Sequence, residues 1–239
     1  MDQEKFDGLF FFTDPRFFVW LFNMSDEIRD RGIPMFYNTI WDDEPVPKFN
    51  KNYYDSCDFL GCISKLTHRI VSELVGSEKC EHIPHAVDES VFKMFSEEER
   101  LKHRKEIFKD GKVDKFVLFY NSRNARRKCT SDVIKIYKQF SDIVGDANTL
   151  LLMHCDPFDP EGANLISVCE RLEVKPSQIA FSKDRVPNEQ IAIFNNISDV
   201  TMCLSNNERI WALKFRIVDV WYSCYFNKNG WITRSKYYG

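Results

Sequence analysis

Hydrophobic residues along positions 1–208 form short runs that alternate with longer amphipathic or polar segments. This alternation predicts βαβ units built on mostly parallel sheets, which is an α/β fold. The runs predicted to be strands are 8–12, 34–38, 59–64, 81–84, 115–121, 149–154, 179–181 and 199–204.

Helical periodicity is found in the segments between these runs. In 64–75, apolar residues recur at spacings of three and four, and Ser64 is suited to cap the helix N-terminus. Segment 131–144 repeats the pattern. Further helices are predicted at 97–109, 164–172 and 188–194.

A domain boundary is predicted near residue 86. The stretch Pro-His-Ala-Val-Asp at 84–88 precedes a charged helix, and a second strand–helix series begins at Lys115. Ligands of such α/β layers lie beyond the carboxyl ends of the strands. We therefore expect functional residues near 121–128 and 205–208.

Four basic side chains are concentrated in the turn after strand 115–121. They are Arg123, Arg126, Arg127 and Lys128, and the turn leads directly into the next predicted helix. Cations beside a positive helix N-terminus suit a diphosphate. A solvated basic loop is the alternative.

Carboxylates follow two other predicted strands. Glu208 ends the sequence Ser-Asn-Asn-Glu, where it could accept hydrogen bonds from sugar hydroxyls. Asp42 lies in Trp-Asp-Asp-Glu-Pro at 41–45 and could act as an acid or a base. An ordinary solvated turn is the alternative in both places.

Composition and charge narrow the class of protein. The chain has 239 residues, of which 44% are hydrophobic, so that it can fill one or two cores and is not a disordered chain. A formal net charge of −3 argues against nucleic-acid binding. No apolar run reaches the ~18 residues of a membrane span, and no secretory signal is recognisable. The eight Cys residues lack metal-site spacing and fit reduced thiols, so we expect a soluble, cytoplasmic protein without a metal.

Several of these stretches, taken in order, carry a family resemblance. They are Asp-Phe-Leu-Gly-Cys-Ile-Ser at 58–64, Ile-Pro-His-Ala-Val-Asp at 83–88, Phe-Val-Leu-Phe-Tyr at 116–120, the pair Arg123 and Lys128, and the segment 186–200 that leads to Ser205 and Glu208. Together they resemble the family-four glycosyltransferases of GT-B fold, also called group 1, over about residues 5–208.

The resemblance implies two Rossmann-like domains with parallel sheets, both incomplete. Residues 1–86 would be the C-terminal part of the acceptor-side domain. Residues 87–208 would be part of the domain that binds the donor nucleotide. The family's first domain has further strand–helix units that would precede these residues, so we interpret the chain as a fragment.

The family also implies a reaction. A sugar would pass from a nucleotide-sugar donor to a hydroxyl of a glycan, lipid or protein acceptor, with retention at the anomeric carbon and without a metal or other cofactor. Arg123 and Lys128, with Arg127 or Arg126 as a substitute, would bind the donor diphosphate, and Glu208 would orient the donor.

Asp42 lies near the position of the acceptor-side catalytic group in that family. Two alternatives to a transferase stay open. One is a non-catalytic or vestigial protein that binds a nucleotide-sugar, and the other is a sugar-nucleotide epimerase of GT-B fold.

Residues 209–239 differ in composition from the rest of the chain. They carry six basic side chains against one acidic one, and three of the five Trp residues. In the family, Glu208 would open a Glu-x7-Glu motif, but Arg216 stands at the second position. A shift of one base turns each Trp codon into a Gly codon and can restore the motif. We therefore predict an aberrant, out-of-frame tail after Glu208 and little transferase activity; a tail that binds a partner is the alternative.

Overall fold

A computed structural model describes residues 6–41, 43–108 and 113–206, together with the backbone of two short strands at 224–226 and 232–234. Asp42, Glu208 and, apart from those two strands, the tail 209–239 lie outside the described residues. The described part before the tail divides into two compact units, 6–86 and 87–206.

The first unit contains a parallel sheet of four strands in the order β1-β2-β3-β4. Its strands are β1 (Leu9–Phe12), β2 (Met35–Thr39), β3 (Phe59–Cys62) and β4 (Cys80–His82). The helices that connect them are α1 (Val19–Phe22), α2 (Ser25–Asp30), α3 (Lys51–Asp55) and α4 (Lys65–Val75). Ser64 caps α4 as predicted, because its hydroxyl accepts a hydrogen bond from the backbone N–H of Thr67 at 3.0 Å.

The sheet of the first unit is packed on one face. Its strand order follows the chain, and right-handed crossovers then place the connecting helices on the same side. Phe11, Tyr37 and Leu60 are buried in the core on that side. On β1, Phe10 and Phe12 alternate with Phe11 and are 71% and 59% exposed. On β1, this second face is therefore largely exposed.

The second unit contains a parallel sheet in the order β7-β6-β5-β8. Its strands are β5 (Phe116–Asn121), β6 (Thr149–His154), β7 (Ile179–Ser182) and β8 (Val200–Met202). Its helices are α5 (Glu97–Ile107), α6 (Thr130–Val144), α7 (Leu165–Arg171) and α8 (Asn188–Ile197). Two further strands, β9 (Cys224–Phe226) and β10 (Ile232–Arg234), form a separate antiparallel pair.

Both faces of the second sheet are buried. Tyr120 of β5 belongs to the core that α6 and α7 cover, whereas the preceding Phe119 belongs to the core that α8 covers. The crossover from β7 to β8 passes β6 and β5, which brings α8 to the face opposite α6. The near-continuous apolar sequence of β5 and β6 follows from this two-sided burial.

The predicted α/β class with parallel sheets is confirmed. Each of the eight predicted strands is present, and the five predicted helices are present as α4 to α8. The three helices α1 to α3 were not predicted. In the part of the chain that the structure describes, every helix is too short or too polar to cross a lipid bilayer.

Candidate functional site

The carboxyl ends of β5 and β8 form the topological switch point of the second unit. From β5 the sheet extends through β6 and β7 on one side, and through β8 on the other. In open α/β sheets, ligands bind in the crevice outside the carboxyl ends of the strands at such a point. A ligand site is therefore expected at the loops that follow β5 and β8.

The loop after β5 is held by backbone hydrogen bonds to two other loops. The N–H of Arg126 donates to the carbonyl of Glu161 at 3.1 Å. The N–H of Asn206, in the loop after β8, donates to the carbonyl of Arg127 at 2.8 Å. These bonds fix the direction in which the chain enters α6.

Gly162 allows the loop after β6 to approach the loop after β5 closely. The buried amide of Asn124 donates to the carbonyl of Ala163 at 2.8 Å. A Cβ atom on Gly162 would overlap the carbonyl oxygen and the side chain of Asn124 at distances that real Cβ atoms do not show. Only glycine therefore fits at this contact.

A cleft of about 680 Å³ lies at the N-terminus of α6. The backbone N–H groups of Thr130 and Ser131 have no acceptor among the described residues, as expected in a first helical turn. Arg126 is exposed and contributes a cation. The carboxylates of Asp132 and Glu161 also lie at the cleft. Its lining residues are Asn124, Ala125, Arg126, Cys129, Thr130, Ser131, Asp132, Glu161, Gly162, Ala163 and Asn206.

The position of this cleft suits a phosphate or a diphosphate. Unpaired N–H groups and the positive end of the dipole of a 15-residue helix attract an anion. Arg126 adds a side chain that can bind two oxygen atoms of one phosphate group. The volume is within the range of small-molecule sites.

Arg123 points to the acidic loop after β6. Its Nε and Nη2 atoms donate to the carboxylate of Asp159 at 2.6 and 3.1 Å, and Nη1 lies 3.1 Å from the carboxylate of Glu161. This guanidinium lowers the pKa of Asp159, and the carboxylate in turn raises the pKa of Arg123. Arg123 therefore joins two loops of the site and does not line the cleft.

The other two predicted cations also lie outside the lining of the cleft. Lys128 is 7% exposed, and its backbone carbonyl accepts a hydrogen bond from the hydroxyl of buried Tyr120 at 3.0 Å. Arg127 is exposed. Of the four basic residues in this turn, the one that lines the cleft is Arg126, which the sequence interpretation treated as a substitute.

His154 is a candidate that the sequence interpretation missed. It ends β6 beside Asn121 of β5 and Ser182 of β7. Its Nδ1 lies 3.0 Å from the Ser182 hydroxyl, and its ring lies 6.0 Å from that of Phe194. Burial lowers the pKa of His154, so that the imidazole is neutral at pH 7. A polar residue directly after the apolar run 150–153 was the available sequence signal.

The acidic turn of the first unit is described except for Asp42. The indole N–H of Trp41 donates to the carbonyl of Asp43 at 2.8 Å, and Glu44 forms an ion pair with Arg69. Glu44 is thus engaged in holding the turn, and a role of Asp42 in acid–base chemistry stays a prediction. Within the described residues, no group of three or more His, Cys, Asp or Glu side chains could hold a metal ion.

No protein-family model and no curated protein matches the chain, but solved structures do. HepE from Anabaena, in complex with UDP-glucose, is 16% identical with a TM-score of 0.63, and the match covers 83% of this chain and 53% of that one. An α,α-trehalose 6-phosphate synthase from Burkholderia multivorans is 9% identical, with a TM-score of 0.64 and coverage of 89% and 53%. A glycosyltransferase from Rickettsia africae ESF-5 is 14% identical, with a TM-score of 0.54 and coverage of 81% and 57%.

These matches show the fold. The chain has the α/β units with parallel sheets of the GT-B glycosyltransferases, and the predicted GT-B-like fold class is confirmed. The chain spans about half the length of the solved structures that it matches.

Proposed function

We propose that this chain serves a glycosyltransferase reaction that uses a nucleotide-sugar donor, and that its second unit binds the donor diphosphate in the cleft before α6. The observation that carries the proposal is the position of this cleft. It combines a helix N-terminus and Arg126 at the switch point of a fold shared with a structure that holds UDP-glucose.

The physical demand of such a reaction is to stabilise the negative charge of the departing nucleoside diphosphate. Fixed N–H groups and cations that face this charge lower the barrier, because they are oriented before the reaction begins. In our proposal Arg126 contacts the diphosphate directly. Arg127 and Lys128 add positive charge beside it, and Glu208 orients the donor.

Arg123 would reach the donor only by exchanging partners. Its planar guanidinium now binds Asp159 in a bidentate manner, and a phosphate group offers the same geometry. We propose that the donor diphosphate competes with Asp159 and Glu161 for this side chain. Asp42 is our candidate for the acid–base group on the acceptor side.

Replacement of Arg126 with Ala is expected to weaken the binding of pyrophosphate about tenfold, because a hydrogen bond to a charged group contributes about 1.5 kcal/mol. Isothermal titration calorimetry with pyrophosphate and with UDP measures this. Lys135 is exposed on the same helix, outside the lining of the cleft, and Lys135→Ala serves as the matched control with unchanged affinity. If wild-type protein binds neither probe at millimolar concentration, the proposed donor site is wrong.

Turnover separates the transferase from its alternatives. With UDP-glucose and a panel of glycan, lipid and protein acceptors, proton NMR of the product would show a new glycosidic bond with the donor's anomeric configuration. An epimerised nucleotide-sugar formed without acceptor would identify an epimerase. Binding without either product would identify a non-catalytic protein.

The frame shift that we propose after Glu208 has a direct test. Resequencing of codons 205–240 and of the DNA downstream should reveal one missing or one extra base, with a restored Glu-x7-Glu motif and an open frame beyond it. If resequencing finds no missing or extra base, the frame shift is refuted. Any transferase activity measured for the 239-residue chain would then be the natural activity of the protein.

A further inference from the structure

A row of polar side chains ends three neighbouring strands of the second unit. Asn121 of β5, His154 of β6 and Ser182 of β7 are partners in the sheet register, so their side chains leave the sheet on the same face. Two positions earlier on that face, Phe119 and Leu152 are buried. The apolar sheet therefore ends at this row, at the carboxyl edge where such folds bind their ligands.

Two contacts hold the ring of His154, and only one of its two ring nitrogen atoms, Nδ1, takes part in them. Ser182 contacts Nδ1 at 3.0 Å, and Phe194 flanks the ring. Nε2 forms no hydrogen bond with any residue that the structure describes. His154 is half-buried and its Nε2 is accessible to solvent, so a ring held in this way can form a hydrogen bond with a group from outside the chain.

The place and charge of His154 indicate which part of a ligand it would meet. Neighbouring strands are about 4.8 Å apart, so His154 is one strand away from β5 along the carboxyl edge of the sheet. Its side chain leaves the sheet on the α8 face, whereas α6 packs on the opposite face. A nucleoside attached to a diphosphate at the N-terminus of α6 would therefore meet His154 by crossing this edge. A neutral imidazole suits an uncharged hydrogen-bonding group, such as a ribose hydroxyl or a base amide, and has little attraction for phosphate.

We infer that His154 binds the nucleoside portion of a nucleotide ligand through Nε2, while Ser182 holds Nδ1. This inference rests on the proposed function, because it needs a diphosphate in the cleft before α6. It adds that a side chain of β6 recognises the nucleoside. The groups that bind the phosphates are different ones.

The test compares two probes on two proteins. UDP, GDP and ADP are titrated first into wild-type protein, and the best of them is then compared with pyrophosphate on His154→Leu. We expect the affinity of the nucleotide to fall about tenfold, the effect of about 1.4 kcal/mol. The affinity of pyrophosphate should stay within about twofold, because the phosphate groups are bound elsewhere. His154→Gln, which keeps a neutral hydrogen-bonding group, should recover part of the nucleotide affinity.

The matched control is His103→Leu. His103 lies on α5 in the same unit and also packs against an aromatic ring, that of Phe95 at 5.3 Å, so its replacement tests the loss of a partly buried histidine away from the proposed site. Nucleotide affinity should be unchanged in this variant. Circular dichroism verifies that each variant is folded.

Each other outcome has a separate meaning. If wild-type protein binds neither nucleotide nor pyrophosphate, the proposed function fails first. If wild-type protein binds pyrophosphate as tightly as every nucleotide, or if folded His154→Leu keeps its nucleotide affinity, the inference about His154 is wrong while the diphosphate site stands. An equal loss of both probes in His154→Leu would show that His154 only supports the fold of the site, which also overturns the inference.

Discussion

Replacement of Arg104 with Ala is expected to lower the free energy of unfolding of the second unit by about 3 kcal/mol or more, because it leaves buried polar groups without partners. Arg104 lies on α5 and is 5% exposed. Its Nε donates to the carbonyl of Val113 at 2.8 Å, its Nη1 to that of Ile197 at 2.9 Å, and its Nη2 to that of Lys115. Asp199 supplies the opposite charge, 3.3 Å from Nη1.

Two neighbours on α5 provide controls of graded burial. Arg100 also pairs with Asp199, but its side chain is 24% exposed, so Arg100→Ala should cost about 1 kcal/mol. Lys105 is exposed, and Lys105→Ala should change stability by less than about 0.5 kcal/mol. Urea unfolding followed by circular dichroism gives the order of stability, and hydrogen exchange of β5 assigns the loss to this unit. An Arg104→Ala protein as stable as Lys105→Ala would show that the guanidinium does not hold α5 to the sheet.

Replacement of Gly162 with Ala is expected to cost about 2 kcal/mol, the usual effect of forcing a carbon atom into a close contact. The added Cβ would collide with Asn124, and a backbone carbonyl cannot move away as the end of a flexible side chain can. The loops after β5 and β6 must then separate. Because the loop after β5 directs the chain into α6, we also expect the affinity for pyrophosphate to fall about tenfold or more.

A second glycine supplies the control for this variant. A Cβ at Gly8 would meet its nearest neighbours at 3.5 Å, an ordinary contact, so Gly8→Ala should change stability by less than about 1 kcal/mol. Urea unfolding and calorimetry with pyrophosphate measure both effects. Full stability and unchanged pyrophosphate binding in Gly162→Ala would mean that the two loops can separate freely, and that their contact does not shape the cleft.

Helices and strands could be predicted where burial leaves a recognisable pattern of apolar residues in the sequence, either a period or a continuous run. The prediction for 149–154 matches β6 residue for residue, because a strand buried on both faces is a continuous apolar run ended by a polar residue. Ser64 was predicted as a cap because its hydroxyl acts on a residue only three positions away. Helices α1 and α3, of four and five residues, are too short to show a helical period.

The candidate site could be predicted only as a region. The basic turn after β5 was visible in the sequence, but which of its cations lines the cleft depends on loops far away in the chain. Asp159 and Glu161 lie 36 or more positions after Arg123 in the chain, and both form ion pairs with it. Arg126 lines the cleft instead. A sequence pattern does not show these pairings, because ion pairs between loops have no period.

The sequence by itself therefore determined the class of fold, the positions of the strands and the turn in which an anion site is built. These properties depend on local periodicity and on residues that are neighbours along the chain. The tertiary structure alone decided the strand order, the switch point between β5 and β8, and the meeting of His154 with Ser182 across 28 positions. It also decided that the connecting helices of the first unit lie on one side of its sheet. The reason is that contacts between distant segments are set by how buried surfaces pack together, which no local window of sequence contains.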